Sequence, residues 1–343
     1  MIARVAPDLP VCKIGHPARA DGLSVPNYET FEYSEFVQAA GGYVIGATPF
    51  STRTSRLAEV EFDTVLFDEA SQITLPLAIM GMLVGKRYVF VGDDRQLPPV
   101  TALPIPSLLA QSSIFSYLSD RGYGEMLTLT YRLNDRLTAW PSRTFYDGRL
   151  RPAPAIGERR LDLPDLPERW QDILDPQDPV VFVDVHQVNT TIRSHREAEM
   201  VVDLILMLLQ SGVPPWDIGV VSPYRAQGRE IRNLLRRLVP DPDIHRAIVV
   251  DTVERMQGQE REVVLVSLAT SSPFFAAELA EFFFQPQRLN VTITRPRTKL
   301  IIVGSSHVLR AEPGDPDLAG WVELFRDLIG SCSLRTVVYG EGA

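Results

Sequence analysis

Short runs of β-branched and other apolar residues recur along the chain, at Tyr43–Ile45, Thr64–Phe67, Tyr88–Val91, Leu127–Thr130, Val180–Val183, Ile218–Val221, Ala247–Val250, Val263–Ser267 and Leu300–Val303. They do not alternate with polar residues, which is the pattern of strands covered on both faces, as in a parallel sheet. Between several of them the period lengthens to that of a helix. Ile231, Leu234, Leu235 and Leu238 keep i, i+3, i+4, i+7 spacing and predict one buried face, with Arg229, Arg232, Arg236 and Arg237 off that stripe. A second helix is predicted over His195–Gln210, with Ser194 as N-cap, Glu197 at the third helical position and Gly212 just past its end. Strands and helices alternating on this scale predict a doubly wound α/β fold. Between Arg149 and Pro179 prolines and charges crowd in and the periodicity stops, which predicts a connecting excursion.

Length and composition narrow the class. At roughly 150 residues per domain, 343 residues predict about two domains. Apolar residues at 45% and charged residues at 22% exclude a largely disordered chain. Thirty-four basic against 43 acidic residues leave a net charge of −9, which argues against non-specific coating of nucleic acid but leaves room for a local basic groove. Cys12 and Cys332 have no partner pattern, so no disulfide framework or zinc cluster is expected, and a reducing compartment is the better match. The longest apolar stretches, such as Leu77–Val84, fall far short of the ~18 residues of a membrane span. The N-terminus lacks a signal-peptide core, so a soluble cytoplasmic chain is expected. His16, His186, His195, His245 and His307 have no metal-ligand spacing, and no nucleophile elbow or dinucleotide fingerprint occurs.

The densest chemistry lies in Thr64-Val-Leu-Phe-Asp68-Glu69-Ala-Ser-Gln72. Thr64 and the apolar Val65, Leu66 and Phe67 predict a buried strand with two adjacent carboxylates at its C-terminal end, where open α/β sheets bind ligands. One carboxylate can hold a hard cation through oxygen while the other orients a water. A plain strand-to-helix junction, with Asp as N-cap and Glu in the first turn, uses the same residues. A second predicted strand ends in Gly92-Asp93-Asp94-Arg95-Gln96-Leu97-Pro98-Pro99, where Gln96 can hydrogen-bond a phosphate or a water.

Together these segments resemble motifs II and III of superfamily 1B helicases. Tyr131-Arg132-Leu133-Asn134 resembles motif IIIa, Val221-Ser-Pro-Tyr-Arg-Ala-Gln227 motif IV, Thr252-Val-Glu-Arg-Met-Gln257-Gly258-Gln-Glu260 motif V, and Arg288-Leu-Asn-Val-Thr-Ile-Thr294-Arg295 motif VI. Ile14-Gly-His-Pro-Ala-Arg19, Val44-Ile-Gly-Ala-Thr48 and Trp140–Gly148 are similar to flanking stretches of that family. The resemblance implies two RecA-like lobes, mainly parallel sheets, with boundaries expected at 1–128 and 129–343 and the excursion 149–179 inside the second. It implies ATP and Mg²⁺ as cofactors and single-stranded DNA or RNA as partner, with translocation 5′→3′. Residue by residue, it assigns Asp68 to Mg²⁺, Glu69 to the attacking water, Gln96 to sensing the γ-phosphate, and Arg132 and Arg295 to reaching it as fingers. Asp93, Gly258 and Glu260 fall to the nucleotide, Glu260 at the ribose. Thr48, Ser222 and Thr252 become candidate contacts to the strand's backbone, although such residues at strand ends commonly cap turns. Tyr131 and Tyr224 could stack on a base or sit half-buried in a core.

Three departures qualify the expectation. A glycine-rich phosphate loop is missing: the only Gly-Lys, Gly85-Lys86, has Met80 where the first glycine would stand and precedes a strand. In the family that loop lies upstream of the Gly-His-Pro-Ala-Arg element, so the first lobe is expected to be N-terminally truncated and the isolated chain largely inactive. A non-catalytic nucleic-acid-binding module, or one subunit of a split helicase, is the alternative. Pro296 follows Arg295 directly, and because a residue before proline avoids αR geometry, the helix is expected to end at Arg295. Only the short stretch from Arg19 to Tyr43 could hold an inserted stalk, so none is expected.

Overall fold

The computed structural model describes residues 8, 10–16, 25–38, 41–57, 59–100, 112–164 and 166–336; Pro17–Arg19 of the Gly-His-Pro-Ala-Arg element lie outside them. The chain divides into two units, one of residues 1–94 and 98–124, the other of residues 95–97 and 125–343.

In the first unit, β1 (Phe62–Phe67) and β2 (Gly85–Phe90) pair in parallel, joined through helix α1 (Leu75–Met82). Phe67, Ala70, Ala78 and Ile114 form its core, and the Phe67 and Phe90 rings stack with centroids 4.7 Å apart. Helix and strand approach so closely that a Cβ on Gly81 would stand 2.8 Å from the Phe67 ring. These strands were expected to be covered on both faces, and they are not. Val65 and Phe67 face the core while Leu66 is 61% exposed and Val89 and Val91 are open to solvent. Tyr43–Ile45, expected as a strand, is irregular: the apolar run has no ladder partner among the described residues.

The second unit is built on a six-stranded sheet. Its strands are β3 (Val180–Asp184), β4 (Ile218–Val221), β5 (Val249–Asp251), β6 (Arg261–Ser267), β7 (Pro296–Gly304) and β8 (Ser333–Thr336). They lie in the order β8-β3-β7-β6-β4-β5, every pair parallel. Alternate side chains leave the sheet in opposite directions. Val181, Val183, Val263, Leu265, Ile301 and Val303 join one core, and Phe182, Val264, Val266, Leu300 and Ile302 the other. Both faces are thus apolar, which explains runs without alternation. Helices α4 (His195–Gln210) and α5 (Arg225–Leu238) cover the first face. The second is covered by α2 (Asp135–Phe145), by α9 (Pro286–Ile293), and by α10 (Pro316–Ser331).

Several boundaries move. The strand expected at Leu127–Thr130 contracts to Leu129–Thr130, paired with Arg151–Pro152. Ala247 closes a short helix before β5 instead of opening the strand. In α5, Ile231 and Leu235 are buried but Leu238, the last helical residue, is 53% exposed, because the helix runs past the edge of the core there. The segment 149–179 contributes helix α3 (Glu168–Leu174), whose Trp170, Ile173 and Leu174 enter the first core. Helix α9 ends at Ile293 with Thr294 as its cap, so Arg295 lies between helix and strand, and Pro296 opens β7. Proline is tolerated at that first strand position.

Lys299, fully buried in the middle of β7, fastens α3 to the sheet. Its ammonium donates to the Asp178 carbonyl at 2.6 Å and the Asp175 carbonyl at 2.8 Å. Burial pulls this amine down to about 7, against the opposing carboxylates of Asp178 and Asp175. Beneath α9 the packing leaves a cavity of about 50 Å³, lined among others by Val221, Val266, Phe283, Leu289, Thr292 and Phe325.

Candidate functional site

In the first unit, Asp68 and Glu69 follow β1. The exposed Asp68 carboxylate accepts from the Glu69 amide at 3.0 Å, and Glu69 adopts a left-handed backbone, φ 51°, unusual for a residue with a side chain. The Ala70 amide donates to the Val91 carbonyl at 2.8 Å, tying this turn to the residue before Gly92. A Cβ on Gly92 would stand 2.8 Å from the Ser71 nitrogen, so only glycine lets the two turns meet. The turn with both carboxylates is thereby brought against Gly92 and Asp93. Thr48 is exposed, and its oxygen lies 2.9 Å from the Ser51 hydroxyl and accepts weakly from the Ser51 amide at 3.4 Å, a turn-capping arrangement.

In the second unit, residues from four distant stretches converge at the N-terminal edge of the sheet. Glu260 immediately precedes β6 and Arg295 immediately precedes β7. Arg132 Nε donates to Glu260 Oε2 at 2.7 Å, and its Nη1 donates to the Thr294 carbonyl at 3.3 Å. Arg295 is only 2% exposed. Its guanidinium donates to the Val291 carbonyl (2.9 Å), the Gln259 carbonyl (3.3 Å), the Thr294 hydroxyl (3.1 Å) and Gln96 Oε1 (3.4 Å). Gly258 turns the chain ahead of Glu260 with φ 74°, a conformation that favours glycine. Burial alone would raise the Glu260 carboxyl, but hydrogen bonds from Arg297 and Arg132 and their charges outweigh it and hold it at about 2.

The opposite, C-terminal edge carries Ser222 after β4 and Thr252 after β5, joined by the Ser222 amide donating to the Asp251 carbonyl at 3.1 Å. Ser222 is 1% exposed, and its hydroxyl accepts from the Tyr224 amide at 3.4 Å. Thr252 is half-buried, with a hydrogen bond to Glu254 that helps keep that carboxyl below its usual range despite burial. Tyr224 packs among Phe275, Phe282 and Phe283, with ring centroids 5.7 to 6.5 Å away, whereas Tyr131 is exposed. β6 has seven residues at about 3.3 Å each, so the two edges stand roughly 20 Å apart.

Sequence reasoning missed the ion network around Glu260. Arg297 pairs with Glu260 and reaches Glu262 at 3.3 Å, and Arg159 also pairs with Glu262. A signal was available: Glu260 and Glu262 are two apart at a strand start, so both carboxylates leave one side of it. It missed Asn290 as well, which donates to the Arg95 carbonyl (3.0 Å) and the Tyr146 hydroxyl (2.8 Å) and so holds the Arg95–Leu97 stretch in this unit. Nothing local in the sequence announces that contact.

The chain is similar to known proteins along much of its length. One AAA-domain family model matches residues 110–307 and another residues 27–102. The DNA replication ATP-dependent helicase/nuclease DNA2 of Xenopus laevis is 31% identical over 267 residues, covering 71% of this chain and 25% of that protein. The Regulator of nonsense transcripts 1 homolog of Arabidopsis thaliana is 31% identical over 310 residues, covering 87% of this chain and 24% of that protein. Among solved structures, the PRRSV helicase is 16% identical with a TM-score of 0.38, covering 89% of this chain and 44% of that one. The chain spans about a quarter of the length of each of these two curated relatives. With a family model matching more than half of its residues and helicases among its relatives, this chain belongs to the AAA-domain family of superfamily 1 helicases.

Proposed function

We propose that this chain is the core of an ATP-dependent helicase that couples hydrolysis to 5′→3′ movement along a single strand of DNA or RNA. The observation that carries this reading is the convergence of Gln96, Arg132, Glu260 and Arg295 at one sheet edge. Phosphoryl transfer needs mainly positioning and positive charge at the phosphoryl oxygens, and guanidinium forks supply both. Arg132 and Arg295 neutralise the γ-phosphate, Gln96 reports its presence, and Glu260 with Gly258 faces the nucleoside. To serve, Arg132 exchanges its bond to Glu260 for phosphate oxygens.

From the first unit, Glu69 orients the attacking water, and Asp93 lies beside it in the adjoining turn. Asp68 would hold Mg²⁺. Its exposed carboxylate suits an ion that binds through one or two carboxylates together with substrate phosphates and waters. Among the described residues no group of three His, Cys, Asp or Glu offers an all-protein cage. When bound, the ion would neutralise charge on the phosphate oxygens. Thr48, Ser222 and Thr252 contact the strand through hydroxyls or adjoining backbone. The uncovered face of β1 and β2 supports the further reading that a segment or partner bearing a glycine-rich phosphate loop completes the first unit.

The test is ATP turnover, with and without single strands. The chain alone is expected to turn over little. Adding a polypeptide that bears the loop should restore strand-stimulated turnover that Arg132→Ala and Arg295→Ala abolish. Strand-stimulated turnover by the pure chain refutes the inactivity, and turnover indifferent to both substitutions refutes the finger roles. The burial of Arg295 and the pairing of Arg132 favour a second reading, a strand-binding module without catalysis. Strand binding that never responds to nucleotide would select it.

A further inference from the structure

A polar cavity in the second unit lies away from the residues assigned above. It measures about 520 Å³, within the ~300–1,000 Å³ usual for ligand sites, and is lined by Thr191, Ile192 and Arg193 on one side. Ala226, Arg229, Glu230 and Asn233 form the other side. The four α5 residues fall at i, i+3, i+4 and i+7, a single helix face turned away from the buried Ile231 and Leu235. The first wall is the loop leaving the C-terminal end of β3, and the second is the start of the helix after β4. The cavity therefore opens at the same sheet edge as Ser222 and Thr252.

Both walls are held rigidly from beneath. Gln227, fully buried, accepts from the Ser194 amide at 2.8 Å and donates to the Ser194 carbonyl at 2.9 Å, clasping loop to helix. Thr190 bonds the Ala269 carbonyl and the Ser271 hydroxyl, both at 2.7 Å, and Thr270 donates to the Thr191 carbonyl at 2.6 Å. The charged heads above are uncommitted by comparison. Arg229 is exposed and, among the described residues, has no hydrogen-bond or ion-pair partner. Arg193 only skirts Glu230 at 3.9 Å, while that carboxylate is engaged by His195 Nδ1 at 2.8 Å. Arg196, Arg225, Arg236 and Arg237 are also exposed on α4 and α5, against the exposed carboxylate of Glu199 and the half-buried one of Glu230, so exposed cations outnumber carboxylates on these two helices in a chain of net charge −9. Rigid walls bearing one unpaired and one loosely paired guanidinium match an oxyanion carried on a polymer.

We infer that this cavity is a phosphate-binding site for the backbone of the single strand, with Arg193 and Arg229 contacting phosphodiester oxyanions and Thr191 and Asn233 supplying neutral hydrogen bonds. This rests on the reading of the chain as a strand-binding helicase core and extends the strand's path beyond Ser222 and Thr252. The test measures binding of fluorescent oligo-dT and oligo-U to the full chain as a function of salt. Removing one cation that neutralises a phosphate of a single strand lowers the slope of log K against log salt by about 0.7. Arg193→Gln and Arg229→Gln should each produce a drop of that size, additive in the double variant and alike for both oligomers, and Arg229→Lys should restore most of it. Binding weakened with an unchanged slope would mean that the arginines serve only the helix, overturning the inference. So would variants that bind like wild type while Thr252→Ala weakens binding, an outcome that leaves the strand-binding reading standing. If the wild-type chain binds neither oligomer, that reading and the inference fall together.

Discussion

Glu197 sits at the third position of α4, where a capping-box glutamate would reach back to the N-cap amide. Instead the Ser194 amide is taken by Gln227, and the Glu197 carboxyl turns inward. It meets the Ala269 amide at 2.7 Å, the Ser267 hydroxyl at 2.8 Å and Gln187 Nε2 at 2.6 Å. Complete burial outweighs these donors and pushes the group from 4.5 up to about 8. Below pH 4.5 folded and unfolded chains both hold this proton. Between pH 4.5 and about 8 only the folded chain keeps it, so stability falls as pH rises, by up to ~1.4 kcal/mol per pH unit. Glu197→Gln keeps the shape and removes the titration. Urea unfolding of both proteins across that range should therefore converge at the acid end and diverge at the alkaline end, with wild type the steeper. Parallel curves would show that the carboxyl titrates normally.

Elements built by local signals were the most legible. Ser194, the periodic apolar face and Gly212 delimit α4 as expected, and the apolar runs of β3, β4, β6 and β7 mark the central strands. Tyr43–Ile45 carried the same β-forming residues but lacks a pairing partner among the described residues, and a run of three apolar residues cannot report its partners. The motif segments drew attention to Asp68, Glu69, Gln96, Arg132, Glu260 and Arg295, whereas the Arg132–Glu260 bond spans 128 positions and no periodicity encodes it. Gly92 belongs to this scale because two turns depend on it. Gly92→Ala forces its new methyl against the Ser71 amide and the Phe115 ring. It should destabilise the first unit by about 1–3 kcal/mol and displace the Asp68–Glu69 turn. Thermal unfolding followed by far-ultraviolet circular dichroism checks the first effect, and an unchanged midpoint would mean that the turns separate freely.

Across the second unit, the strands that begin just after Glu260 and Arg295 at one edge run on to the loops of the other. Helix α9, whose C-terminal neighbour is Arg295, is joined by the Arg288–Glu254 pair to the turn that begins at Thr252. Arg288 also lies over the Phe282 ring at 4.4 Å. A state change at either edge therefore meets the same helix. Nothing in composition foretold this, since an overall acidic chain conceals one cationic face and one buried guanidinium.

The cavity of about 50 Å³ under α9 places compressible void space beside that helix. Hydrostatic compression favours whichever state eliminates void space, so the lobe should yield around α9 before its sheet does. Enlarging a wall with Val266→Ile should raise the unfolding pressure and reduce the volume lost on unfolding, both readable by high-pressure fluorescence. If the two proteins unfold at one pressure with one volume change, the space beneath α9 is already filled by solvent and stores no compliance.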